Sequence, residues 1–171
     1  MELKSTLDKA AVLGYLAAAA LWIALLGPAW AYIPATPTMP AVNMNFADFV
    51  ALDAALPTGG LQHAFYSWGA WLFAALATVL AILIDRLRTS VGMTSMGMVA
   101  IALGLIQLVV SVLALKGEAA MSVLLGNLPY LRVGSALFLI GIFLLTASGV
   151  ARLVSARSSN SPVLGSPVPA R

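Results

Sequence analysis

His63 is the chain's one histidine, and no cysteine accompanies it. Disulfides, thiol catalysis, cysteine-ligated metal centres and a bis-histidine haem within one chain are therefore excluded. Asp48, Asp53 and His63 are the residues that could converge on a cation, yet their spacing follows no fixed ligand motif. Ser67 lies one helical turn after His63. Without an orienting acid and an oxyanion site, that pair is no nucleophile–base constellation. Pro57-Thr58-Gly59-Gly60 lacks the following lysine of a phosphate-cradling loop. Met93, Met96 and Met98 point in different directions on a helix, which suits gap-filling better than copper binding. No catalytic residue, metal or cofactor is expected. His63 reads as a polar anchor at a membrane surface, with a metal or cofactor ligand as the lesser reading. Asp48, Asp53, His63 and Tyr66 are the candidate contacts for a partner on that side.

Gln107 is the other polar group of interest, because it falls in the middle of a long apolar run. Polar groups at membrane depth are costly and often mark a pathway. Its amide is expected to hydrogen-bond Ser148 or a backbone carbonyl and so glue two helices. A substrate, quinone or proton-pathway contact is the alternative reading.

The elements that must position these residues follow from composition. The chain has 171 residues, 61% of them hydrophobic and 9% charged, with a mean hydropathy of +1.00. Soluble domains carry roughly 25% charged residues, so a soluble fold is excluded. Four apolar runs, Ala10–Tyr32, Leu61–Ile84, Val91–Leu115 and Val133–Val154, are each near the ~20 residues that span hydrocarbon. Ala29-Trp30-Ala31 after Lys4 and Lys9 imitates a signal-peptide cleavage site. Glu2, Asp8 and the long apolar run favour an uncleaved first span, with Trp30 and Tyr32 as interfacial anchors.

With the N-terminus inside, one side receives Lys4, Lys9, Arg86, Arg88, Arg152, Arg157 and Arg171, and the other only Lys116 and Arg132. Lys and Arg concentrate on cytoplasmic sides. Both termini are therefore expected in the cytoplasm, and the net charge of +3 reflects topology rather than nucleic acid. The outer loop, residues 33–60, opens with Pro34, Pro37 and Pro40, which favour an extended chain. Asn45 can cap an amphipathic helix over Asn45–Leu56, with Asp48 in its first turn and Asp53 facing water or a partner. Residues 116–131 form a second outer loop. Residues 155–171, rich in Ser and Pro, read as a disordered cytoplasmic tail.

Each run also carries small residues at helical spacing. The third has Gly97, Ala100, Gly104, Gln107, Ser111 and Ala114; the fourth has Gly134, Gly141, Ser148 and Ser155. The second has Ala70, Ala74, Ala77 and Ala81, and the first has Ala10, Gly14, Ala17 and Ala24. Lipid tails are as apolar as leucine, so close backbone approach through such residues drives helix association in membranes. The fold expected is all-α and integral to the membrane: an antiparallel up-down four-helix bundle over residues 1–154. Its span and loop pattern resembles that of claudin-type tetraspan proteins, without their Trp and Cys loop signature, so the resemblance implies topology alone.

The function expected is non-enzymatic: an accessory or scaffolding subunit in the cell inner membrane. Its partners would be the lipid bilayer and other membrane subunits or further copies of itself, and no nucleic acid. The alternative is a small homo-oligomeric channel or transporter with a seam lined by Gln107 and Ser111.

Overall fold

The computed structural model describes residues 2–55, 60–87, 90–117, 119 and 121–159. Helix α1, Glu2–Leu26, stops where Gly27 and Pro28 cannot continue it. The first span is thus shorter at this end than the apolar run to Tyr32 implies. Beyond it come strands β1, Ala31–Ile33, and β2, Val42–Met44, paired antiparallel with Tyr32 opposite Asn43. A further bridge between Thr36 and Met39 closes this hairpin. The proline-marked segment is therefore a small sheet rather than an open extended chain.

Helix α2, Phe46–Ala55, begins at a reciprocal cap. The Asp48 amide donates to the Asn45 side-chain oxygen at 3.0 Å, and the Asn45 amide donates to the Asp48 carboxylate at 2.8 Å. Two otherwise orphaned backbone donors are satisfied in this way, as the sequence suggested. The expected end of the helix at Pro57-Thr58-Gly59 lies outside the described residues.

Helix α3, Gly60–Ala64, passes through a π-helical turn at Phe65–Gly69 into α4, Ala70–Arg86, and the three form one span. Helix α5, Ser90–Lys116, ends at Gly117, whose φ of +54° suits glycine at a helix C-cap. The Gly117 amide donates to the Leu113 carbonyl at 3.0 Å. A short α6, Met121–Gly126, and a 3₁₀ turn, Leu128–Tyr130, lead into α7, Val133–Ser159. Helix α7 continues past Val154, so Ser155 and Ala156 are buried helical residues and not the start of a tail. The remainder of the expected tail lies outside the described residues.

The described chain is mostly helical, and four of its helices are long and apolar enough to cross a membrane: Lys9–Leu26, Gly60–Arg86, Val91–Lys116 and Val133–Arg157. These mark a multi-pass membrane protein. Helix α1 packs between α4 and α7, and α7 packs in turn on α5. Every small residue of the four stripes is buried. Backbone meets backbone at Gly97 and Gly149: a Cβ on either would come within 3 Å of the other's carbonyl oxygen. Large residues such as Ile23, Val79, Ile106 and Phe143 are left on the outside, as a lipid-facing surface requires.

The two ends of the bundle differ. One, the cap end, carries the hairpin, α2 and α6. Trp30 is almost fully buried there, with ring centroids 5.0 Å from both Phe46 and Phe138. Its indole N–H donates to the Ala24 carbonyl at 2.6 Å. Trp30 is thus a core residue and not an interfacial anchor. Trp22 also packs inward, donating to Thr78 at 3.0 Å beside Trp71. The other end is basic, with Arg86, Arg152 and Arg157.

Candidate functional site

Two groups of polar residues stand out, one under the cap and one along the α5–α7 seam. Under the cap, Asp53 on α2 faces His63 on α3, with Oδ2 and Nδ1 2.7 Å apart. Asp53 is buried, which corrects the expectation that it faces water or a partner. The His63 side chain remains about half exposed, and its partner Asp53 is 5% exposed. The pair ties α2 to the second span. Asp48 remains exposed at the helix cap and is not part of this contact.

Tyr66 falls in the π-helical turn and is buried among aromatic rings, stacked on Phe49 at 5.6 Å with an interplanar angle of 8°. The wide turn adds a residue to the helix and brings both Phe65 and Tyr66 against Phe46, with ring centroids 6.3 and 5.9 Å from it. Gln62 lies against Gly117, where a Cβ would collide with its side-chain oxygen. Asp53, Gln62 and Tyr66 form one wall of a cavity of about 580 Å³. Its other walls are mostly apolar, with Ile33 from the hairpin, Leu52 from α2, Val112 and Leu115 from α5, Leu128 from the last connection and Leu139 from α7, and Asn127 adds one polar group. Arg132 stands over the ring of Tyr32, itself a wall residue, 4.6 Å from its centroid.

In the seam, Gln107 is fully buried, and neither end of its amide has a hydrogen-bond partner among the described residues. The expected bond to Ser148 does not form. Ser148 instead donates to the Ala10 carbonyl at 2.8 Å, fixing α7 to α1. Ser111 donates to the Gln107 carbonyl within its own helix at 2.6 Å. Gly104 lies against Thr146, whose side chain a Cβ would strike. The four residues thus share a buried stripe without forming a polar network.

The serine hydroxyl nearest the imidazole in sequence is engaged elsewhere. The Ser67 hydroxyl donates to the His63 carbonyl at 2.7 Å, so it is not presented to the imidazole as a nucleophile. Among the described residues no three of His, Cys, Asp and Glu cluster as metal ligands would. What the cap end offers is a concave, mostly apolar space with a few convergent polar groups, the usual form of a small-molecule site.

Sequence reasoning missed one residue of consequence at the basic end. Arg152 is 1% exposed, and its guanidinium donates to the carbonyls of Ile84 and Leu87 at the end of α4. A cation there satisfies orphaned carbonyls and faces the negative end of the helix dipole. Nearby, the Tyr15 hydroxyl donates to Asp85 at 3.3 Å. Comparison with protein-family models, curated proteins and solved structures finds no match.

Proposed function

We propose that this chain is a non-enzymatic membrane protein serving as an accessory or scaffolding subunit of a larger membrane assembly. One observation carries the reading: a bundle closed by small-residue contacts bears a structured cap at one end. Enzymes and transporters need reactive groups or a polar path through the membrane. In this bundle the mid-depth polar side chains Gln107 and Ser111 are packed inside a single chain. A homo-oligomeric pore lined by them would require the α5–α7 seam to open, which disfavours the channel reading.

Contacts of Ala10 with Ser148 and of Ala17 with Gly141 suit an antiparallel α1–α7 pair within an up-and-down bundle. On the positive-inside rule both termini face the cytoplasm and the cap faces the opposite side of a cell inner membrane. The exposed apolar residues of the cap, Val123, Leu125 and Trp68 among them, would then meet another subunit.

Crosslinking from Leu125 and Trp68 in native membranes, followed by purification in mild detergent, tests this. A stoichiometric membrane-protein partner attached at the cap is expected. A chain that runs alone as a monomer in every mild detergent, without cap crosslinks, overturns the proposal.

A further inference from the structure

The cavity under the cap reaches into the part of the molecule that lies at membrane depth. Val112, Leu115 and Leu139 belong to the spans, not to the loops, and together they form an apolar floor. Leu128 on the rim is half exposed, so the apolar lining reaches the surface there, beside the exposed Asn127. An open apolar mouth is costly against water and natural against hydrocarbon.

Two cations stand at this end, and the wall carboxylate Asp53 is engaged by His63. Lys116 and Arg132 are the two cations that the spans leave on the cap side, and each directly follows a wall residue, Leu115 and Leu131. Both are half-buried, and Arg132 is steadied by the ring of Tyr32. An apolar space with Arg132 held against its Tyr32 wall, and with Lys116 next in the chain after Leu115, is complementary to a phospholipid. At about 580 Å³ the cavity falls within the roughly 300–1,000 Å³ typical of ligand sites.

We infer that this cavity binds one phosphate-headed lipid from the leaflet on the cap side. An acyl chain lies on Val112, Leu115 and Leu139, and Lys116 and Arg132 contact the phosphate. The inference goes beyond the scaffold reading and does not need a protein partner.

Native mass spectrometry of the full chain in detergent tests it, with phosphatidylglycerol, diacylglycerol of the same chains and inorganic phosphate as probes. One phosphatidylglycerol per chain is expected, held about tenfold or more tighter than diacylglycerol, since cations at the membrane surface favour an anionic lipid. K116Q combined with R132Q should bring phosphatidylglycerol down to the diacylglycerol level. V112W should remove both lipids by filling the floor. L128E alters only the exposed rim and should weaken phosphatidylglycerol in a chain whose thermal unfolding matches the parent. Binding unchanged in both L128E and the double glutamine variant overturns the inference. So does displacement of the lipid by inorganic phosphate at equal concentration, or diacylglycerol binding as tightly as phosphatidylglycerol. All arms run on the isolated chain, so failure here is distinct from failure to find a subunit partner.

Discussion

Asp53 and His63 stand ten residues apart in sequence and meet at 2.7 Å, so that one side-chain contact bridges α2 and the second span. Helix α2 has only 10 residues, too few to be stable alone in water. Its position therefore depends on the Phe46 and Phe49 ring contacts and on this polar tie.

Asp53→Ala should loosen the cap without unfolding the bundle. A hydrogen bond to a charged group contributes about 1.5–3 kcal/mol, and half-exposure of His63 places this one at the low end. Hydrogen exchange of the α2 amides is expected to speed up about tenfold while exchange in α5 and α7 stays as it was. Uniform acceleration across all helices would show that the contact holds the bundle rather than the cap.

Gly149→Ala should separate α5 from α7. The new methyl would sit 2.6 Å from the Gly97 carbonyl and 3.0 Å from Ala100. Overpacking of this kind costs about 1–3 kcal/mol. Gly126→Ala is the matched control, because nothing lies within 4 Å of its Cβ position. Thermal unfolding in detergent should fall for the first variant and hold for the second; equal melting of both would remove close glycine contact as the basis of the seam.

Gln107→Leu should raise stability. A hydrogen-bonded glue residue would lose stability on this change, and that was the expectation from sequence. The buried amide has no partner among the described residues, so its removal relieves a desolvation cost of about 1–3 kcal/mol. A higher midpoint of thermal unfolding in detergent is the expected result, and a lower one would reveal a partner for the amide in the bilayer.

Arg152→Met keeps much of the side-chain volume but removes the donors to Ile84 and Leu87. The end of α4 should fray, with a loss of about 1–3 kcal/mol and faster exchange at residues 84–87. Arg152→Lys should recover only part of it, since an ammonium cannot reproduce the planar fork that serves two carbonyls. Full recovery by lysine would make charge alone sufficient.

Much of the bundle was legible because its signals are local and periodic. Small residues repeat with the helical turn, and Asn45 with Asp48 writes its own cap within four positions. What was not legible depends on contacts between distant segments. The hairpin strands are three residues each, too short for alternation to register, and Pro34 and Pro37 read as a broken chain. Arg152 counted as one more basic residue on the cytoplasmic side; its burial arises only when α7 is laid beside the end of α4. Stripe position pairs Gln107 with Ser148, yet the Ser148 hydroxyl is engaged by the Ala10 carbonyl of a third helix. Asp53 looked like the polar side of a surface helix, and its burial follows from the span that passes beneath it.

The Trp30 carbonyl accepts from the Arg132 amide at 2.9 Å and from the Ser135 hydroxyl at 3.0 Å, while the Ala29 carbonyl accepts from the Gly134 amide at 2.8 Å. Ala31 also bridges to Leu131. The exit of the first span is thus stitched to the entry of the last. During synthesis the first of these segments emerges long before the second, and its carbonyls must wait, open to other donors. The stitch can therefore form only once the last span has been made, and it couples the two ends of the chain's membrane part in one contact.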